Sequence, residues 1–154
     1  MDHTAQDRIK ELEQEGLQRL RDGDHKAAAE IFSTIVERAP DYEHGACFYD
    51  LAVCLEELGQ FAQAEVHFKR ALEYLPDDTV RLGGYASYLY LYGKPEEAFR
   101  VHLRLLHLFQ RQKNATGEQR ALLAIRTLGS NTGLSEEEVT RAIESYRGLP
   151  KHLG

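Results

Sequence analysis

The chain has 154 residues, a formal net charge of −6 and a pI near 5.6. This length fits a single domain, and the acidic balance argues against nucleic acid and against anionic membrane surfaces as partners, because both require basic patches. No apolar run approaches the roughly 20 residues that span a bilayer. We expect no signal peptide, because Met1–Lys10 lacks a hydrophobic block.

Nearly the whole chain is predicted to be helical. No run of alternating β-branched residues with turn signals indicates a strand. The apolar spacing and the breaks predict eight helices. In chain order these helices lie near 5–22, 24–39, 43–58, 61–75, 79–92, 95–112, 117–128 and 136–147.

Turn and capping residues mark the breaks between these helices. A glycine after a helix supplies a left-handed end, and proline is tolerated at helix edges. Ser135 with Glu138, and Thr116 with Gln119, have the spacing of a capping box. The loop between the last two helices is predicted to hold Gly129, Asn131 and Gly133. The four prolines, all at predicted helix edges, are Pro40, Pro76, Pro95 and Pro150.

Three stretches of the chain repeat one pattern. Each has a glycine at the turn, an alanine five residues later, and an aromatic or histidine residue four residues after that. Self-similarity near 34 residues predicts stacked helical hairpins. The three sets are Gly23, Ala28 and Phe32; Gly59, Ala64 and Phe68; and Gly93, Ala98 and His102.

This pattern resembles the tetratricopeptide repeat over roughly residues 8–112. The second copy carries it most clearly, with Phe48, Leu51, Ala52, Leu55, Gly59, Ala64, Phe68, Ala71 and Pro76. The third copy departs from the family by placing His102 where an aromatic is usual and Gln110 where proline is usual. The resemblance implies an all-α, right-handed α-solenoid in one domain, 1–154. Its three hairpins would cover about 8–42, 43–78 and 79–112, with a capping hairpin at about 115–148.

Small residues should mark the points where the two helices of a hairpin cross. Gly16, Ala52 and Ala86 are expected at these crossings, because a larger side chain would separate the helices. Phe32 and Phe68 are expected to fill the gap between successive repeats.

The resemblance also implies a concave groove lined by the first helix of each pair. By register the groove would present apolar and aromatic side chains beside carboxylates. A partner's apolar side chains would be buried there, and the acidic groups would orient a basic partner. The alternative is that the aromatics pack between repeats and the acids are solvated. The predicted groove residues are Leu17, Tyr49, Asp50, Val53, Glu56, Glu57, Ser87, Tyr90 and Leu91.

Some members of this family grip a chaperone's terminal carboxylate with cations in the groove. The matching positions here hold Glu13, Leu17, Asp50, Val80 and Gly84, and none of them is a cation. We therefore expect no such carboxylate clamp.

Four tyrosines fall in the third repeat, at Tyr85, Tyr88, Tyr90 and Tyr92. Their spacing scatters them around a helix, so Tyr85 and Tyr88 are expected in the core and Tyr90 in the groove. The neighbouring pair Gly83 and Gly84 indicates a frayed helix start. Close approach of a ligand or of the previous helix is the alternative.

Residues that would support catalysis, a cofactor or a metal are not predicted. The seven histidines form no recognised metal motif, and no glycine-rich phosphate loop is present. Cys47 and Cys54 would lie about 10 Å apart along one helix, too far to form a disulfide. Buried free thiols indicate a reducing compartment, so we expect a cytoplasmic protein.

The function predicted from these features is a non-catalytic adaptor or scaffold that binds a peptide or helix of another protein. One alternative is a secretion-type chaperone for an unfolded client, a class that often forms dimers. The other alternative is a module that associates with copies of itself. Two interpretations of the last helix also stay open: a cap on the end of the stack, or a segment that lies in the groove or exchanges with another subunit.

Overall fold

A computed structural model describes residues 3–146, which form eight α-helices, one short 3₁₀ helix and no strand. The helices are α1 (His3–Arg21), α2 (His25–Arg38), α3 (Ala46–Glu57), α4 (Phe61–Tyr74), α5 (Thr79–Leu91), α6 (Pro95–Arg111), α7 (Ala115–Asn131) and α8 (Glu136–Ser145). The all-α prediction is confirmed. The predicted ends of α8 and of the capping hairpin, 147 and 148, and Pro150 lie outside the described residues.

The chain divides between Leu75 and Pro76 into two compact units. In the first unit, α1 pairs with α2, α3 pairs with α4, and α2 packs on α3. In the second unit, α5 pairs with α6, α6 packs on α7, and α8 contacts α7. A single domain over 1–154 stays a prediction. None of the helices described is both long and apolar enough to cross a membrane.

Small residues at the hairpin crossings hold the helices close together, as predicted. A Cβ built on Gly16 would lie 2.9 Å from Cε1 and Cζ of Phe32, well inside van der Waals contact. Ala52 and Ala86 are fully buried, and so are the alanines that face them from the second helices, Ala28, Ala64 and Ala98. Phe32 and Phe68 are also buried. The repeated small residues in the sequence are therefore explained by the close packing of the paired helices.

Helix starts follow the capping chemistry of the sequence, with one correction. The capping box of Ser135 and Glu138 is present at the start of α8. The predicted box of Thr116 and Gln119 is wrong, because α7 begins one residue earlier than Thr116. Asn114 caps it instead, its side-chain oxygen accepting a hydrogen bond from the Gly117 amide at 2.9 Å.

The start of α3 differs from the prediction of a helix from residue 43. A 3₁₀ turn occupies Tyr42–Gly45, and α3 begins at Ala46. Glu43, His44 and Gly45 all have positive φ, at 47°, 53° and 73°. The left-handed conformation is unfavourable for residues with a Cβ, which is why a pattern of apolar residues could not reveal this turn.

The last two helices also begin and end differently from the prediction. Gly129 and Asn131 were expected in a loop but lie within α7, and only Gly133 lies in the connection. Gly129 leaves room for the side chain of Val139 on α8, so the glycine serves packing and does not end the helix. Tyr146, after α8, meets the His107 ring edge-on at 6.0 Å. The last helix thus packs against α7. The capping hairpin and the two alternatives to it stay predictions.

The interpretation of Gly83 and Gly84 as a frayed helix start is wrong. Helix α5 begins four residues before Gly83, and Asp78 caps it by accepting a hydrogen bond from the Arg81 amide at 2.9 Å. A Cβ added at Gly83 would meet no atom within 4 Å. Gly83 therefore weakens α5 without relieving any crowding in the fold.

Two glycines provide a matched test of these packing arguments. We expect Gly83→Ala to raise the free energy of unfolding by about 0.5–1 kcal/mol, because alanine is the better helix former and the space is open. Gly16→Ala should lower it by about 1–3 kcal/mol, because the added methyl meets the Phe32 ring. Urea unfolding followed by circular dichroism measures both. Equal effects of the two substitutions would contradict the packing argument.

His102, at the position where the first two repeats have phenylalanine, should make stability depend on pH. Its Nδ1 atom is buried and has no hydrogen-bond partner among the described residues, and burial lowers the pKa of the side chain. Because the unfolded chain then binds the proton more readily, stability should fall as pH drops below about 6.5. His102→Phe should raise stability at pH 7.5 and weaken this dependence. Thermal melts at pH 5.5 and 7.5 test it, and an unchanged slope would argue against a role of His102.

The two thiols of α3 should be unreactive in the folded protein. Cys47 and Cys54 are free and buried, and burial is the main cause that raises their pKa values, to about 12 for Cys47 and about 11 for Cys54. The reactive species is the thiolate, so at pH 8 we expect reaction with Ellman's reagent to be at least about a hundredfold slower than in denaturant. Prompt labelling of the native chain would contradict this burial.

Candidate binding surface

In the first unit, the predicted groove residues lie on the outward faces of α1 and α3. Leu17 comes from α1 and the others from α3. Glu57 is exposed, and the remaining five are half-buried. These residues are Leu17, Tyr49, Asp50, Val53, Glu56 and Glu57.

Tyr49 is shared between this surface and the core. Its ring meets Phe68 edge-on, with 5.8 Å between the ring centroids and an interplanar angle of 70°. Such an aromatic pair contributes to stability beyond the area it buries. Removal of the Tyr49 ring would therefore lower stability as well as change any binding. A substitution at Tyr49 could not separate the two effects.

The carboxylates of the first unit are held in different environments. Burial, and then the neighbouring Glu57 carboxylate, raise the pKa of Glu56. On α1, Oε2 of Glu13 accepts a hydrogen bond from the Tyr42 hydroxyl at 2.7 Å. Burial of Tyr42 and this carboxylate together raise the pKa of the tyrosine. The sequence does not reveal this pair, because the two residues are 29 positions apart in the chain.

Charge is distributed unevenly along the chain. Residues 1–75 hold 16 acidic and 8 basic side chains, whereas residues 76–154 hold 9 acidic and 11 basic ones. The net charge of −8 in the first part and +2 in the second gives the overall −6. The long-range attraction of a basic partner is therefore stronger toward the first unit than toward the second. The sequence contains this signal, but the overall charge conceals it.

In the second unit, the three predicted groove residues lie on α5 and are all exposed. Ser87, Tyr90 and Leu91 project from the face opposite the buried residues of this helix. Tyr90 is 48% exposed and Leu91 is 63% exposed. Tyr85 and Tyr88 are buried, as predicted. The side chain of Tyr90 is therefore more exposed to solvent than those of Tyr85 and Tyr88.

Val80, 68% exposed, extends this face toward the start of α5. Residues that are three, four or seven positions apart lie on the same side of a helix, and the positions of this face follow these spacings. None of them carries a charge. We call this face the α5 strip and define it as Val80, Gly83, Gly84, Ser87, Tyr90 and Leu91.

Among the described residues, no group of three or more histidine, cysteine or carboxylate side chains could hold a metal ion. A surface depression of about 360 Å³ lies between α7 and α8, over Leu134, Val139 and Ile143.

Comparison with known proteins supports the fold. The family profile described as "Tetratricopeptide repeat" matches residues 19–82. A sequence search of curated proteins found no significant match. Among solved structures, the chain is similar to one from a T3SS complex from Aeromonas hydrophila, with a TM-score of 0.72 and 20% identity over 84% of this chain and 85% of that one.

Two further structures have the same fold. The TPR2B domain of yeast Sti1, solved in a pHsp70 complex, gives a TM-score of 0.70 with 16% identity, over 80% of this chain and 97% of that one. The first TPR of Spaghetti (RPAP3), bound to the HSP90 peptide SRMEEVD, gives 0.67 with 17% identity, over 80% and 92%. The chain thus has the fold of tetratricopeptide-repeat domains, and the family profile matches its part from residue 19 to residue 82.

Proposed function

We propose that the chain is a non-catalytic adaptor that binds a segment of a partner protein on the outward faces of its first helices. The observation that carries this proposal is the exposure of large apolar side chains on α5, led by Leu91 and Tyr90. A helix on the surface of a protein normally has polar residues on the side that faces water. A contiguous patch of exposed apolar residues on a folded unit marks a surface for a partner, whereas a single exposed apolar residue does not.

The partner would be apolar with basic residues, and not an acidic chaperone tail. The peptide in the RPAP3 structure, SRMEEVD, carries three carboxylate side chains. Here the positions that would need cations hold Glu13 and Asp50, among others. Carboxylates at these positions would repel an acidic tail and attract a basic segment. The groove residues proposed for this contact are those predicted from the sequence.

A chaperone for a secreted client is the second candidate. The likeness to a chain of the T3SS complex, which extends over 84% of this chain, favours it. Such a chaperone would bind its client through the same outward faces, so the two candidates differ in the state of the partner. A client that is soluble only together with this chain would favour the chaperone. Under either candidate function we place this protein in the cytoplasm, because its two cysteines are free thiols.

Affinity capture from the source lysate, followed by titration of the purified partner, tests the adaptor. We expect Tyr90→Ala/Leu91→Ala to weaken binding by about 2 kcal/mol or more, because aromatic anchors dominate interfaces. Glu56→Gln/Glu57→Gln should mainly slow association, and only at low salt. The control is Val66→Ala, which removes a side chain that is 62% exposed on the second helix α4.

Two results would count against the adaptor. Equal affinity of the Tyr90→Ala/Leu91→Ala variant and the Val66→Ala control would exclude α5 as the binding face. Recovery of the bait alone would favour self-association. Loss of helicity in the α5 variant, seen by circular dichroism, would require the milder Leu91→Ala change before affinity is compared.

A further inference from the structure

Positive charge in the second unit is concentrated on α6 and α7. Residues 98–134 contain six arginine or lysine side chains and a single carboxylate, Glu118, so this stretch has a net charge of +5, whereas the whole chain has −6. Such a local excess of one charge creates a positive potential at this part of the surface. Arg104 is buried. The other five cations are exposed and are Arg100, Arg111, Lys113, Arg120 and Arg126.

On α6 the basic residues form one face of the helix. Its four members follow one another at steps of four, three and four residues. At 100° per residue they lie within an arc of about 60°, and at 1.5 Å per residue they extend over about 16 Å. The face belongs to the second helix of a hairpin, so it is distinct from the predicted groove, whose residues come from first helices. We define the basic face of α6 as Arg100, Arg104, His107 and Arg111.

The corresponding faces of the other two second helices lack this charge pattern. Counted from the turn glycine of each hairpin, the first three positions hold two carboxylates and a threonine on α2. On α4 they hold one cation, Arg70, which forms an ion pair with Glu73 of the same face. The basic face is therefore particular to the third hairpin and is not required by the repeated helix packing. The positions compared are Glu30, Thr34 and Glu37 on α2, and Val66, Arg70 and Glu73 on α4.

One carboxylate of the chain already lies on the basic face. Nη2 of Arg104 donates a hydrogen bond to Oδ1 of Asp77, a residue that precedes α5. The side chain of Arg104 is 9% exposed and that of Asp77 is 61% exposed. A hydrogen bond between two charged groups is stronger than a neutral one, and burial of the guanidinium strengthens it further. The pair indicates that a carboxylate is the chemical group that fits this face.

The two outer arginines of the face have no such partner within the chain described. Arg100 and Arg111 are exposed, and neither forms an ion pair with another residue between 3 and 146. Glu96 and Glu97 precede Arg100 by one turn, and they lie in the first turn of α6, where the helix dipole stabilises carboxylates. Two exposed guanidinium groups about 16 Å apart along the helix are therefore free to bind the carboxylates of another molecule.

The size of the face favours an acidic protein segment over other polyanions. Nucleic acids are held by many cations distributed along a surface, and anionic membranes by clusters of about four to eight lysines and arginines. The basic face has three arginines, one of them already paired with Asp77, and it ends at the carboxylates Glu96 and Glu97. An acidic segment needs two carboxylates about 16 Å apart, a distance that about five extended residues cover.

We propose that the basic face of α6 is a second interaction surface, which binds an acidic segment of another protein through carboxylates that pair with Arg100 and Arg111. This surface goes beyond the proposed function, because it lies on a different helix and takes a ligand of the opposite charge. Arg104 remains paired with Asp77 and adds no free cation. The chain then has a site for a basic segment on its first helices and a site for an acidic segment on α6.

A phage-displayed library of random peptides of about 12 residues, selected on the full chain, tests this proposal. We expect one group of enriched peptides to carry two or more aspartates or glutamates separated by about four to six residues. Titration of a labelled peptide from this group, followed by fluorescence anisotropy, gives its affinity. Arg100→Gln/Arg111→Gln should weaken binding by about fivefold or more. The affinity of the unsubstituted chain should fall as salt is added.

The matched control is Lys26→Gln/Arg38→Gln, which also removes two exposed cations from a second helix, α2. Both double variants lower the net charge of the chain equally, so only recognition by the basic face distinguishes them. The control should leave the affinity unchanged. Arg100→Lys/Arg111→Lys keeps the charge but lacks the paired N–H donors of a guanidinium, so it should weaken binding to a smaller extent than the glutamine variant. Circular dichroism verifies that each variant is folded.

Three results would overturn the inference: no acidic peptides among the enriched clones, no loss of affinity in Arg100→Gln/Arg111→Gln, or an equal loss in the control. Labelled single-stranded DNA of about 20 nucleotides and vesicles that contain phosphatidylserine represent the other polyanions. Tighter binding of either through Arg100 and Arg111 would replace the acidic segment as the ligand. Tyr90 and Leu91 are not part of this face, so each surface can fail its own test while the other stands.

Discussion

The close crossing of paired helices is the constraint on which the rest of this structure depends. Alanines at the crossings are fully buried, and Gly16 leaves just enough space for the ring of Phe32. Helix pairs this close leave no room for variation on their inward faces. The outward faces of the same helices are under no such restriction. Residues can therefore differ between proteins of this fold more freely on the outward faces than on the inward ones.

The outward faces of α3 and α5 illustrate this freedom. Helix α3 presents carboxylates at Asp50, Glu56 and Glu57, whereas α5 presents none. The two helices have comparable inward faces, each with small and apolar residues that are buried. An acidic face acts over the distance at which salt screens charge, about 8 Å under physiological conditions. An apolar face acts only on contact, so the two faces differ in the range over which they act.

Most of the fold could be predicted from the sequence because its signals are local. Turn glycines, the box formed by Ser135 with Glu138, and the apolar spacing of each helix all act within a few residues. One error arose where a residue outside the helix decides the conformation. Gly129 looks like a helix end in sequence, yet the nearby Val139 side chain explains its place inside α7. The environments of the candidate site residues were harder to predict, because the sequence could not show that Tyr49 contacts Phe68.

The left-handed turn before α3 has a consequence for how this protein can diverge. Gly45 has a φ of 73°, and a Cβ there would overlap the ring of Tyr74. Tyr74 in turn stacks on Phe48 at 5.9 Å, and the Arg70 guanidinium lies over both rings. Among close relatives, Gly45 and Tyr74 should therefore change together, whereas the exposed residues Val80 and Leu91 can change independently. An alignment of orthologues would show this difference as covariation at the first pair and its absence at the second.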